Sequence, residues 1–263
     1  MTDAAKWGDL GTRLASGLVM AGVGLAAVWA GGIWFTGLAL LAGTLMTWEL
    51  ALMLDPGRRR DARLLSVLAA LGMGAALGAQ DALGLVPLLA PAAAALIMPR
   101  KGKLIFAIYG SAVLVAAEGL VAFRAEHGMV WLAWLIIVVV VTDIAGYFAG
   151  RIFGGPKFWP RVSPKKTWSG TVAGWICAAL IGLVFLRFTT AGPDLPWISA
   201  ALALASQMGD IAESAVKRHA GVKDSSALIP GHGGLLDRFD GLLGAALFML
   251  LVAQVVVVPV VRL

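Results

Sequence analysis

Between Ser206 and Asp240 the chain reads SQMGDIAESAVKRHAGVKDSSALIPGHGGLLDRFD, its densest run of ionisable and glycine residues, set between two strongly apolar segments. Charge beside or within a bilayer is costly unless it is paired, hydrated or bound to an ion, so this crowding points to a site for a polyanion and a metal ion. On a helix Asp210, Glu213, Ser214 and Lys217 fall at i, i+3, i+4 and i+7 and share one face, with Arg218 beside them. Taken alone, that stripe reads equally well as a self-neutralising ladder of ion pairs where a helix leaves the membrane. Lys223 and Asp224 follow, then the turn Pro230-Gly231-His232-Gly233-Gly234, whose glycines can bring backbone N–H groups close to phosphate oxygens. Asp237 and Asp240 stand three apart at the start of the next apolar segment, suited to sharing a divalent cation.

The combination is more telling than its parts. A nucleoside triphosphate carries clustered negative charge together with magnesium, so carboxylates would hold the ion while Lys and Arg hold the oxygens it does not reach. His232 then orients the loop or binds a phosphate, because a phosphate monoester nucleophile is already charged and needs little help from a base. A second cluster runs from Asp143 through Gly146, Tyr147 and Arg151 to Gly154, and resumes at Ser163 to Gly170. Asp143 would add a metal ligand or hold a basic side chain, and Ser163, Lys165, Lys166 and Thr167 would contact phosphate at the membrane surface. The competing reading is that these bases only set topology or meet anionic lipid.

The elements that must position these groups are membrane helices. The 263 residues are 60% hydrophobic and 14% charged, with a mean hydropathy of +0.87, against roughly 45–50% apolar residues in a soluble domain. Nine apolar runs of about the length needed to cross a bilayer are expected, at 14–30, 33–54, 64–79, 83–98, 104–123, 129–150, 171–188, 197–217 and 241–261. The fold class is therefore an all-α polytopic membrane protein. The third and fourth runs are short, separated only by Gln80 and Asp81, and can be read instead as a re-entrant hairpin. With the N-terminus cytoplasmic, 18 of the 21 lysines and arginines fall on the cytoplasmic side, leaving Arg124, Arg187 and Arg262 opposite. This predicts an inner-membrane protein whose two large polar loops, 151–170 and 218–240, and hence its active site, face the cytoplasm.

Glu49, Asp143, Asp210 and Glu213 then lie toward the cytoplasmic leaflet, with Glu49 either a structural partner or a support for the site, and Glu118 toward the other face. The net charge of +6 is an orientation signal; no basic run interleaved with stacking aromatics speaks for nucleic acid. The first span has the outline of a secretory signal with a small-residue site near Ala30, but the later spans argue that it is retained. Cys177, the single cysteine, reads as small-residue packing. Residues 1–123 read as a scaffold half and 124–263 as a catalytic half of one membrane unit.

The run Ser214-Ala-Val-Lys217-Arg218, then Lys223-Asp224, Pro230-Gly231-His232-Gly233-Gly234 and Asp237-Arg238-Phe239-Asp240, resembles the signature of the phosphatidate cytidylyltransferases. The likeness extends through Met208-Gly209-Asp210, Asp143 and Ser163-Pro164-Lys165-Lys166-Thr167. It is dense over about residues 142–241 and general before that. Ser169 stands where the family often has Glu, so no acidic role is assigned to it. The resemblance implies that CTP and phosphatidic acid react to give CDP-diacylglycerol and pyrophosphate, with magnesium and a second cation as cofactors, and it is compatible with a homodimer. It implies Asp210 and Asp237 as metal ligands, Asp240 next, and Asp224 and Lys223 at the catalytic centre. Lys217, Arg218 and Arg238 would bind triphosphate or phosphatidate, with Ser214, His232, Gly233 and Gly234 close by and Glu213 supporting. Two rival readings exist. A CDP-alcohol phosphotransferase would need the Ala-Arg pair and second aspartate set that do not follow Asp240-Gly241, and a transporter would spread its charges through the membrane.

Overall fold

The computed structural model describes residues 3–79 and 82–258. Gln80, Asp81 and Arg262 lie outside the described residues. Among the described residues nine α-helices follow in order: α1 (Asp3–Ala30), α2 (Gly32–Leu54), α3 (Arg59–Gly78), α4 (Ala90–Ile97), α5 (Lys103–His127), α6 (Met129–Ile152), α7 (Trp168–Phe185), α8 (Leu195–Ala220) and α9 (Leu236–Val252). A 3-10 helix, Ala82–Leu89, precedes α4, and a two-stranded antiparallel hairpin, β1 (Lys157–Trp159) with β2 (Ser163–Thr167), precedes α7. Among the described residues six helices, α1, α2, α3, α5, α6 and α7, are long and apolar enough to cross a membrane. Helix α8 has the length, at 26 residues, but carries the charged stripe in its last turns. The protein is an all-α polytopic membrane protein with one small hairpin in the polar loop between α6 and α7.

The fourth expected span is not one regular helix. Pro87 and Pro91 lack the N–H that an α-helical ladder requires, and the chain answers with the 3-10 segment followed by the eight-residue α4. Eight residues at about 2.0 Å rise and eight at about 1.5 Å, laid end to end, extend roughly 28 Å, so the extra rise of the 3-10 turns offsets the low residue count.

The chain forms two compact units, Met1–Val121 with His219–Phe239 and Ala122–Arg218 with Asp240–Leu263. The polar segment 219–239 belongs to the first unit. In that unit the core joins Ala69, Met73 and Ala76 of α3, Leu88 of the 3-10 helix, and Leu114 and Ala117 of α5. Small residues on α3 let its neighbours in: a Cβ on Gly72 would strike the carbonyl of Pro87. In the second unit Trp134 of α6 is 1% exposed and donates its indole N–H to Ser199 of α8 at 3.1 Å. The outer faces of α6 and α7 show Ile137, Val140, Ile144 and Phe148, and Val172, Ile176, Leu180 and Leu183. Exposed apolar rows at helical spacing are what a lipid-facing surface requires.

Candidate active site

In the first unit the glycine-rich turn is held by a carboxylate from α2. Glu49 is fully buried and accepts backbone N–H bonds from Leu235 (2.9 Å) and Leu236 (2.8 Å), together with the hydroxyls of Ser226 (2.6 Å) and Ser225 (3.4 Å). Leu236 opens α9, so Glu49 supplies acceptors to the orphan donors of that helix start, where negative charge is also favoured by the helix dipole. Asp237, in the first turn of α9, uses Oδ2 to accept the N–H of Ser225 (2.9 Å), the Ser225 hydroxyl (3.0 Å) and the N–H of Gly234 (2.8 Å). The two glycines are required by this arrangement. Gly233 has φ +85° and a Cβ there would stand 2.8 Å from Asp237 Oδ2, while a Cβ on Gly234 would collide with Ser225 Oγ and the Glu49 carboxylate.

From the other side the turn rests on α1. Ser16 Oγ lies 2.8 Å from His232 Nδ1 and donates to the carbonyl of Pro230 at 2.9 Å, and the imidazole packs against Gly17. His232 is thus clamped to a helix, in keeping with a loop-orienting role. Lys223, Asp224 and Arg238 are exposed beside the ordered turn.

The second unit assembles the other cluster. Lys166 of β2 pairs with Asp210 of α8 and also donates to the carbonyl of Gln207 at 3.2 Å. The charged stripe on α8 therefore divides. Glu213, fully buried, pairs with Lys217 one turn on, as an ion-pair ladder would, while Asp210 turns to the hairpin. Asp210 also lies in the electrostatic field of Asp143 on α6 and of Asp240 on α9. Close contact between Gly209 of α8 and Gly244 of α9 brings these helices together, and Asp210 Oδ1 and Ser206 Oγ both face the backbone at Gly241. Ser206 Oγ is buried with no hydrogen-bond partner among the described residues. Ser214 and Arg218 continue along α8, the former half-buried and the latter exposed.

Next to the Lys166–Asp210 pair lies a cavity of about 490 Å³ lined by Asp143, Tyr147, Arg151, Lys165, Lys166, Thr167, Thr171 and Gln207 together with Gly146, Gly150 and Gly170. Its wall depends on α6 and α7 touching through backbone: a Cβ on Gly170 would strike the carbonyl of Gly146. Thr167 is buried and caps α7, its Oγ1 accepting the Gly170 N–H at 3.3 Å. Ser163 begins β2 opposite Trp159. Ser169, in the first turn of α7, donates to the carbonyl of Gly154 and so ties the start of α7 to the residues just after α6. Ser206, Gln207 and Ser225 have no role legible in the sequence, whereas Glu49 is marked there as a structural partner or a support for the site. A lone acid inside apolar α2 was the one available signal. Gln207 of α8 links three elements: its side chain accepts from Trp175 (3.0 Å) and donates to the carbonyl of Thr171 (3.3 Å), both on α7, and its own carbonyl accepts from Lys166 of β2.

Oxygen donors of Asp210 and Asp240, with the unpartnered Ser206 hydroxyl near Asp210, fit a hard divalent cation. Among the described residues no group of three or more His, Cys, Asp or Glu side chains is close enough to hold a metal alone.

A helical membrane protein with paired acids and bases around a polar cavity is the class that fold and site define. The family model described as the cytidylyltransferase family matches residues 11–256, and the chain belongs to that family. It is 35% identical over 265 aligned residues to the phosphatidate cytidylyltransferase of Brucella suis, covering 95% of this chain and 96% of that protein. Over shorter stretches it is 39% identical to the phosphatidate cytidylyltransferase of Haemophilus influenzae, covering 56% of this chain and 55% of that protein. For the enzyme of that name from Staphylococcus saprophyticus the figures are 44% identity over 44% of this chain and 45% of the relative.

Proposed function

We propose that the chain transfers CMP from CTP to phosphatidic acid, forming CDP-diacylglycerol and pyrophosphate at the cytoplasmic face of the inner membrane. The observation that carries this reading is the 35% identity to a phosphatidate cytidylyltransferase across nearly the whole of both chains. A phosphate oxygen of phosphatidate attacks the α-phosphorus of CTP; the new P–O bond forms as the α–β bond breaks, and pyrophosphate takes the electron pair. No covalent enzyme intermediate is needed, so the protein positions and neutralises.

Lys165, Lys166 and Arg151, on the wall of the cavity, are assigned to phosphate oxygens. Lys166 holds the Asp210 carboxylate in position through their direct ion pair. Asp210 and Asp240 are assigned to magnesium, with Asp143 in support, and Asp237, three residues before Asp240 in the sequence, is assigned to it on the family resemblance alone. Bound there, magnesium supplies charge neutralisation for the departing pyrophosphate. The turn at Gly233 and Gly234, with Lys223, Asp224 and Arg238 beside it, is assigned to the triphosphate. Ser214, Lys217 and Arg218 extend the basic face along α8, with Lys217 held by Glu213.

Pyrophosphate release by the purified protein in detergent, measured with CTP, phosphatidic acid and magnesium and with each left out in turn, tests the assignment. Release that needs all three, with CDP-diacylglycerol as the lipid product, is expected. Release without phosphatidic acid, or no product from folded protein across several lipids and metals, overturns it.

A further inference from the structure

The turn from α2 to α3 holds a second polar feature that the proposed reaction does not use. Trp48 and Leu52 of α2, Pro56, and Arg59 and Arg63 of α3 line an open cleft of about 540 Å³. All the basic residues of this turn are arginine. Both nearby acids are engaged by Arg58, Asp61 at 3.2 Å and Asp55 at 3.9 Å, and Asp55 also accepts the N–H of Lys101 at 3.0 Å. Among the described residues Arg59 and Arg63 have no acidic partner, so the cleft carries two uncompensated guanidinium groups above an aromatic wall.

Setting topology requires only positive charge near a helix end, which lysine supplies equally well. Guanidinium forks add bidentate recognition of phosphate oxygens. The apolar wall continues away from the arginines at helical spacing, through Val67 and Leu71 on α3 and Leu41 on α2, all more than half exposed. A charged end beside exposed apolar residues at helical spacing matches a molecule with a phosphate at one end and acyl chains at the other, whereas a free phosphate would leave Trp48 and those apolar residues unused.

We propose that this cleft binds an anionic phospholipid of the surrounding bilayer, its phosphate held by Arg59 and Arg63 and its acyl chain lying along Trp48, Leu52 and Val67. The inference does not rest on the proposed reaction, and its residues are outside those assigned to it.

The test uses the full chain in phosphatidylcholine nanodiscs doped with phosphatidylglycerol, with brominated acyl chains placed on one lipid or the other. Trp48 emission is read as the difference between the wild-type protein and Trp48→Phe. Brominated phosphatidylglycerol is expected to quench Trp48 at a mole fraction at least about fivefold lower than brominated phosphatidylcholine, the advantage of one well-placed basic residue at an anionic lipid. Arg59→Gln with Arg63→Gln should abolish that preference, while quenching by phosphatidylcholine stays the same. Arg59→Lys with Arg63→Lys keeps the charge and the topology signal, so it should retain about the fivefold charge-driven advantage and lose only what the guanidinium forks add beyond it. Equal quenching by the two lipids in the wild-type protein, or a preference untouched by the Gln pair, overturns the proposal. So does competition by millimolar inorganic phosphate, which would make the cleft a small-anion site. Pyrophosphate release, measured in parallel, keeps a failure here separate from a failure of the proposed reaction.

Discussion

Lys166 and Asp210 stand 44 positions apart, yet each is the other's nearest opposite charge in a partly buried place. Removing one partner strands the other. Lys166→Met should therefore cut CDP-diacylglycerol formation by about a hundredfold, comparable to deleting one preorganised electrostatic contact. Lys166→Arg, measured in the same assay, should recover part of the loss. Asp237 carries a double burden, since its Oδ2 orders Ser225 and Gly234 while the carboxylate charge is assigned to the cation. Asn at this position retains one acceptor oxygen and loses the charge. Asp237→Asn should thus leave membrane insertion intact and lower stability by only about 1 kcal/mol, the difference between charged and neutral hydrogen bonds. Turnover should nearly vanish; substantial activity at ordinary magnesium would remove Asp237 from the cation site.

Two junctions between elements carry the site. At the first, Glu49 of α2 satisfies the start of α9 and the two serines of the preceding loop. An amide in its place would turn an NH2 toward groups that are themselves donors. Glu49→Gln should cost about 1–3 kcal/mol of stability, and residues 219–239 should become the first point of limited proteolysis, which mass mapping of the fragments would reveal. Proteolysis unchanged from wild type would mean that the loop is held by its other contacts. At the second junction α6 and α7 meet backbone to backbone at Gly146 and Gly170. Gly170→Ala forces them apart, costing about 1–3 kcal/mol as overpacking does. Because the same contact walls the cavity, the KM for phosphatidic acid should rise in step with the fall in melting temperature.

For the molecule as a whole, the charge asymmetry of its loops predicts which side of the membrane each polar segment occupies. Single cysteines placed at exposed Arg161 and Lys223, in a background with Cys177 replaced, should be labelled by an impermeant maleimide only when the cytoplasmic face is open. Labelling of either from the outside in intact cells would invert the orientation and move the CTP-facing side with it. Six long apolar helices among the described residues carry the membrane setting. Helix α8 carries acids and bases in its last turns, and neither it nor the 17-residue α9 is among those six.

Composition and periodicity were enough to read a polytopic helical protein, since lipid demands long apolar helices and leaves that demand visible along the chain. The signature from Ser214 to Asp240 likewise lay in the open, because glycines, acids and bases at fixed spacing are a local property. The hairpin around Lys166 was not legible: a two-residue register between short polar strands leaves almost no periodic trace. Nor was the partition of the acid stripe, in which Glu213 takes Lys217 and Asp210 takes Lys166. Sequence offers each acid several bases within reach, and only tertiary packing selects one. The same holds for Glu49, a lone acid in an apolar helix until residues from 176 to 187 positions away bring it the donors that it satisfies. Local spacing can announce a chemistry, but the pairing of buried charges is decided by which surfaces the fold closes against each other.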